Sequence, residues 1–508
     1  MNPVPPESPT DIPTPILGSS ERQSSGWDIR NASRNYLSLV LFQIGSAALS
    51  FGAVWLITRQ RNLGPEGYGA VVAIIAASQV AQILVNWTSI AVVRFGVDEF
   101  VESAVISRTF WSRFIILFAN MVLVLALSGL WFTPLADWLK LAPGAFWLVI
   151  AHFIFTALWL HVQMSLQGAK MLQTQGLLQM IERLLIFMGI VLLLASNRLE
   201  FKYVVLCYIA APAVMIAAGI YKLRTHIFSR FSIERKFFTR ILVYSLPLLP
   251  FSIVGYLSGS YIDAAFVSNF LSTRDLGIYS LATQVNGITM QIPALANSIL
   301  LPLFVTLRRE SKDQRKSNYF RNVVPGLTLL WGAGCAALSF IGYILVPVVF
   351  GTEFDGAVLP IWILLTASVV AFPVAVGYSA LSNSASTTYV PMVATFLAAA
   401  VNIGGNFILI PKYGMAGCAL ATLLAFLTSA AAFAILLNRT AEMPVSWTFL
   451  AVVPSIGGAL SYALYERAWL ALMVCLILSF AIGIFYRHSI NEMVKFILNF
   501  GRLKREPG

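Results

Sequence analysis

The sequence predicts an all-α polytopic membrane protein of about 14 transmembrane helices, built as two pseudo-symmetric six-helix lobes with two extra C-terminal helices. Three observations predict it. Of the 508 residues, 58% are hydrophobic and only 11% charged, against about 25% charged in soluble proteins. Apolar runs of crossing length, about 20 residues each, recur along the chain. Two loop sequences, "RNLGPEGYGAVVAI" (61–74) and "LSTRDLGIYSLATQ" (271–284), repeat one pattern 208 residues apart, the mark of an internal duplication.

The elements follow in order. Residues 1–35 are Pro/Ser-rich and read as a disordered cytoplasmic tail. They lack a basic start and a cleavable apolar core, so no secretory signal is expected. The first lobe occupies 36–221, with spans near 36–57, 69–93, 114–134, 145–166, 172–196 and 201–221. A basic amphipathic cytoplasmic linker, 222–240, follows. Here Ile227, Phe228, Phe231, Phe238 and Ile241 recur at helical spacing among Arg230, Arg235, Lys236 and Arg240. That pattern fits a helix lying on an anionic inner leaflet, or plain positive-inside anchoring. The second lobe, 241–437, has spans near 241–268, 277–306, 323–350, 358–382, 389–410 and 415–437. Within the repeat, "GIVLLLASN" (189–197) corresponds to "NFILIPKYG" (406–414) at an offset of 217. Segment 438–486 holds the two extra spans, near 447–465 and 468–486. A basic cytoplasmic tail, 487–508, sets Ile490, Met493, Phe496, Ile497 and Phe500 opposite Lys495 and Arg502.

Lys and Arg near span ends give the orientation. With the N-terminus inside, 25 of them fall on the inner side and 8 on the outer. Both termini are therefore expected in the cytoplasm, with the chain in the cell inner (plasma) membrane. The formal charge of +12 is a topology signal and does not call for nucleic acid. Six spans per unit give both copies the same orientation, so the lobes are expected to share an axis along the membrane normal with the site between them.

Several function classes lack their residues. Cys207, Cys335, Cys418 and Cys475 fall in four different spans and imply neither disulfides nor a thiolate metal site. His152 and His161 share a span but sit on opposite helix faces, which disfavours a metal pair. No loop is long enough for a soluble catalytic domain. There is no outer-loop carboxylate pair, no metal-ligand cluster, no nucleophile elbow and no Walker motif. "GAGCAA" (332–337) has no strand before it. The expectation is a non-enzyme without a cofactor, in which two covalent lobes alternate access.

Polar residues inside spans are the candidate site. "GLLQMIERLLIFMGIVLLLA" (176–195) reads as a span yet carries Glu182 and Arg183, with Gln179 one turn before. A charge at that depth costs about 2.5–3.5 kcal/mol on insertion scales. Arg94 near the inner end of span two is a second cation. Each either lines a polar cavity, forms a structural ion pair, or snorkels to the interface. The second lobe offers Tyr256, Ser260, Tyr261 and Asp263 in span seven, and Gln284, Asn286, Gln291 and Asn297 in span eight. Gln284 and Gln291 share a face by their seven-residue spacing. These amides either meet a ligand or bond neighbouring helices. Asp263 lies near the outer end of its span, as an interfacial carboxylate paired with Arg274 or as an ion site. Gly255 and Gly259 suit close helix packing, and Pro247, Pro250 and Pro293 suit bends.

Four motifs carry a resemblance. "LGPEGYG" (63–69), "YIDAAFVSNFLSTRDLGIYSLA" (261–282), "VVFGTEFDGA" (348–357) and "NFILIPKYGMAGCALATLL" (406–424) resemble, in order, signatures of the polysaccharide transport (oligosaccharide flippase) family of the multidrug/oligosaccharidyl-lipid/polysaccharide exporter superfamily. The resemblance runs from about residue 31 to 437. It implies a flippase for undecaprenyl-pyrophosphate-linked oligosaccharide, serving O-antigen or exopolysaccharide biosynthesis. The lipid tail would stay in the bilayer through a lateral gap. H⁺ or Na⁺ are the candidate coupling ions, and polysaccharide polymerase and chain-length proteins the candidate protein partners. Under this reading Arg183 and Arg94 would meet phosphates, since a guanidinium presents a planar fork, and the amides and tyrosines would meet sugars. Within the same superfamily, a lipid II flippase or a cation-coupled multidrug exporter stays open. The exporter would need Glu182 as its ion site. A non-transporting scaffold for polysaccharide synthesis also stays open.

Overall fold

Every regular element among the described residues is helical, as expected of a chain that must satisfy its backbone polar groups inside lipid. The computed structural model describes residues 29–59, 63–229, 234–246, 249, 253–254, 260–309, 319–384, 389–441 and 446–502. The first half runs through α1 (Ile29–Arg59), α2 (Gly64–Gln82), α3 (Ser89–Ser103), α4 (Ser107–Ala126), α5 (Ser128–Leu139), α6 (Ala145–Gly168), α7 (Leu172–Ala195) and α8 (Phe201–Ile227). Next come α9 (Arg235–Ser245), α10 (Ser260–Phe270), α11 (Thr273–Arg309), α12 (Val324–Val349), α13 (Val358–Pro373), α14 (Ser379–Ser384) and α15 (Tyr389–Ala441). The chain then passes through α16 (Val453–Tyr465), α17 (Ala468–Phe485) and α18 (Arg487–Arg502).

Among the described residues ten helices are long and apolar enough to cross a membrane, or eleven counting one bent pair. α15 is one of the ten but breaks at Gly414 (φ 59°, ψ −137°), so it supplies two crossings. Among the described residues the expected count of fourteen is not confirmed, and the span expected near 241–268 lies partly outside them. The span expected near 69–93 is bent by 64° between α2 and the helical turns of 86–103. At the break, Arg113 Nη2 on α4 donates to Asn86 Oδ1 at 3.2 Å. Arg113, one of the 25 basic residues counted on the inner side, is fully buried.

Residues with left-handed backbone support the duplication. Lys140 (φ 50°) and Gly351 (φ 97°) close the corresponding third spans, and Asn197 (φ 54°) and Gly414 (φ 59°) the fifth. The last pair holds the offset of 217. The two repeated loop motifs meet each other directly. A Cβ on Gly69 would lie 1.8 Å from the Thr273 carbonyl oxygen, and one on Gly277 would lie 1.9 Å from that of Pro65. Only glycine lets α2 and α11 approach so closely. Further contacts between the halves gather at the same end. Trp55 Nε1 donates to Val349 O at 3.0 Å, Ser268 Oγ to Leu139 O at 2.6 Å, and the Phe51 and Phe350 rings meet edge-on at 5.3 Å.

The linker helix α9 packs its apolar side on the first half of the chain. Its Ile241 is fully buried against α3 and α4, with Phe237 and Phe238 packed beside it. Arg240 sits over Phe95 at 4.9 Å and Arg94 over Tyr244 at 5.5 Å. Arg108 reaches Glu234 at 3.5 Å. The basic and aromatic residues thus face each other across a helix–helix seam.

Candidate functional site

A cavity of about 1160 Å³ lies between the halves, walled by α1, α2, α6, α7 and α8 on one side and α10 and α11 on the other. Along α2 its lining runs from Tyr68 to Gln82, about 21 Å at 1.5 Å per residue. The Gly69–Gly277 contact closes it near Tyr68. Two charged residues line it among the described residues, Glu182 and Arg183. Adjacent on α7, they point about 100° apart. Glu182 is buried and accepts a hydrogen bond from Trp159 Nε1 at 2.8 Å. Arg183 has no carboxylate within 4.0 Å among the described residues. Among the described residues it is a cation within the bundle that no carboxylate pairs, a state that is costly unless water or an anion meets it.

The amides divide among the helices. From α11, Gln284 and Gln291 line the cavity. Tyr68 on α2 donates to Gln284 Oε1 at 3.3 Å across the halves. From α7 come Gln175 and Gln179, from α6 Gln163 and Gln167, and from α2 Gln79 and Gln82. Gln82 donates to Thr156 and accepts from Asn86 Nδ2 at 2.9 Å. A continuous polar path therefore leads from the buried Arg113, through Asn86 and Gln82, to the cavity wall.

The structure brings together Arg183, Glu182, Gln284 and Gln291. It does not bring in Arg94, which is exposed on α3 beyond the bend and stacked on Tyr244. Asn286 is on α11 but not in the lining, with a buried Oδ1 that no hydrogen bond meets. Tyr256 lies outside the described residues. Sequence reasoning missed Arg113 and most of the glutamines. The signal was present, since Gln163 and Gln167, and Gln175 and Gln179, are each one turn apart in apolar spans.

Asp263 corrects an expectation. Among the described residues it makes no ion pair with Arg274. Arg274 is exposed beyond the 271–272 turn, whereas Asp263 is buried facing α15. There Asn406 Nδ2 donates to Oδ1 at 3.0 Å and Thr422 Oγ1 to Oδ2 at 2.9 Å. Asn402 Oδ1 accepts from Asn406 at 2.7 Å. Asn406 Oδ1 has no donor. The cage holds a carboxylate with neutral donors and, among the described residues, no cation within 4.0 Å.

The remaining singled-out groups are structural in their contacts. His152 Nδ1 bonds Ser78 Oγ, and His161 packs on Phe110 at 4.5 Å. The four cysteines are free thiols.

Residues 32–308 match the model of a family described as polysaccharide biosynthesis protein. The chain belongs to that family. Among curated relatives, the "probable low-salt glycan biosynthesis flippase Agl15" of Haloferax volcanii is 28% identical over 237 residues, which cover 46% of this chain and 48% of that protein. The match thus spans about half of that relative's length. Among solved structures, the lipid II flippase MurJ in an inward closed conformation aligns with a TM-score of 0.64 at 16% identity, over 89% of this chain and 100% of the other. The MATE transporter VcmN of Vibrio cholerae, in its bent form, aligns at 14% identity with a TM-score of 0.49, over 82% and 99%. The family member described here therefore shares its fold with the MurJ structure.

Proposed function

We propose that this protein is a flippase that moves an undecaprenyl-pyrophosphate-linked oligosaccharide from the cytoplasmic to the outer face of the inner membrane, for O-antigen or exopolysaccharide biosynthesis. The observation that carries the reading is the cavity itself: a polar chamber between two halves, closed at one end, with a guanidinium on its wall that no carboxylate pairs among the described residues. A lipid-linked sugar pyrophosphate is anionic at its head and rich in hydroxyls beyond. Arg183 would take phosphate, and the amides of Gln284, Gln291 and their neighbours the sugars. The lobes, drawn at 36–221 and 241–437, would alternate, with the Gly69–Gly277 end opening in turn. Both termini would be cytoplasmic. Asp263 would bind the coupling ion, H⁺ or Na⁺. The family supports a role in polysaccharide synthesis, and the Haloferax relative and the MurJ structure are both described as flippases.

Reconstitution tests the reading. Proteoliposomes holding the full chain should move a fluorescent undecaprenyl-pyrophosphate oligosaccharide between leaflets, and liposomes without it should not. A deletion strain should lose surface polysaccharide and accumulate the lipid-linked unit in the inner leaflet. Normal surface polysaccharide with raised sensitivity to cationic dyes would instead establish a drug exporter, and transport of lipid II alone a peptidoglycan role.

A further inference from the structure

The chain has thirteen glutamines, and nine of them line this one cavity. Among the described residues no asparagine does. Seven of the nine, all but Gln82 and Gln284, make no hydrogen bond among the described residues. An unpartnered amide inside a membrane protein is costly. Seven facing one space mark a surface made for a hydrogen-bonding occupant. A primary amide offers donors and an acceptor side by side. A sugar ring offers the same in its hydroxyl groups, each both donor and acceptor, and in its N-acyl groups.

The charge on that surface is equally informative. Among the described residues the lining has one cation, Arg183, and one anion, Glu182. Lys, His and Asp are absent from it. Once Arg183 meets a phosphate, the described residues of the wall offer no further basic group to a sugar carboxylate, and Glu182 repels one. The aromatic walls, Trp159, Tyr208 and Tyr261 among them, suit the apolar faces of sugar rings.

We infer that the glycan carried is an uncharged oligosaccharide, rich in hydroxyl and N-acyl groups, and that the cavity selects against acidic sugars. The inference rests on the flippase reading and specifies its substrate class. Specificity here comes from omission. An amide wall can satisfy a neutral sugar, whereas a uronate carboxylate entering it would stay uncompensated.

The experiment offers proteoliposomes of the full chain two lipids. Both carry the same undecaprenyl pyrophosphate and the same trisaccharide of hexose and N-acetylhexosamine, but in one a hexose is oxidised to its uronic acid. The neutral lipid should move at least about tenfold faster, a difference of about 1.4 kcal/mol. Gln179→Lys, which adds a cation one turn from Arg183, should narrow the ratio to within about twofold. Gln163→Leu with Gln167→Leu should weaken binding of the neutral lipid while leaving sugar-free undecaprenyl pyrophosphate unaffected. Equal movement of the two lipids by the wild-type protein, or preference for the acidic one, overturns the inference and leaves the flippase reading intact. Movement of neither removes the flippase reading, and the inference falls with it.

Discussion

Arg183→Ala separates a ligand-binding cation from a structural one. In the wild-type protein the guanidinium has no carboxylate within 4.0 Å among the described residues, and its neighbour Glu182 is held at 2.8 Å by Trp159 instead. Truncation therefore breaks no ion pair and orphans no buried acceptor. It also removes a cation whose burial without a partner is unfavourable. Thermal stability and the amount of folded protein should stay level or rise. Binding of the lipid-linked substrate should suffer. A hydrogen bond to a charged group contributes about 1.5–3 kcal/mol, so affinity should fall about tenfold to 150-fold. Arg183→Lys keeps the charge but loses the bidentate fork, and should fall between the two. The assay is substrate-concentration-dependent flipping in proteoliposomes, alongside detergent melting curves. If Arg183→Ala loses folded protein in proportion to activity, or binds substrate with wild-type affinity, the cavity role assigned to Arg183 is wrong.

Three shorter predictions follow from the same geometry. Glu182→Leu leaves the Trp159 indole N–H without its acceptor, so melting curves should show a loss of about 1–3 kcal/mol, whereas Glu182→Gln keeps an acceptor and should cost less. Gly69→Val puts a Cβ 1.8 Å from the Thr273 carbonyl oxygen, so the closed end should not form. A cysteine at Ser280 should then react with an impermeant reagent from that side only in the variant, and equal labelling in both would refute the closure. Cysteines introduced at Ser311 and Glu353 should label from opposite faces of the membrane, and labelling of both from one face would overturn the orientation.

What the sequence yielded depended on whether the determinant was local. The expected spans 145–166 and 172–196 end within two residues of α6 and α7, because an apolar stretch of crossing length is a local property. The 64° bend after Gln82 was not legible. The apolar sequence runs on through Ile83, Leu84 and Val85, and the contact found at the break, Asn86 with Arg113, comes from another helix. The docking of α9 was hidden for a similar reason. An amphipathic basic helix has the same pattern whether its apolar face meets lipid or, as here, Phe95 and Ile116. At the site, charges stood out against an apolar background, so Arg183 and Glu182 drew attention. Glutamines in membrane helices ordinarily bond neighbouring helices, and only the fold collects them on one wall. Arg94 and Arg183 looked alike in sequence. The bend carries Arg94 away from the cavity and onto Tyr244.

The Asp263 cage bears on what drives the cycle. It is built from three stretches: Asp263 on α10, Asn402 and Asn406 before the Gly414 break of α15, and Thr422 after it. The donors are neutral, so a carboxylate ionised there lacks compensation, which costs several kcal/mol. A proton or a monovalent cation would remove that cost. Ala264, the next residue along α10, and Tyr261 line the cavity. Occupation of the cage would therefore hold the cavity wall and the two arms of α15 in one arrangement, and its loss would free them. Asp263→Asn removes the charge, keeps an oxygen to accept from Asn406 Nδ2 and places an NH₂ where Thr422 Oγ1 can accept it. It should leave the protein folded, abolish the dependence of flipping on a proton or Na⁺ gradient, and leave slow equilibration between leaflets. The measurement is flipping rate against pH and Na⁺ on each side of the proteoliposome. A variant that still responds to either gradient with the wild-type slope would show that the coupling ion binds elsewhere. The buried Glu182, already engaged by Trp159, would then be the next carboxylate to test.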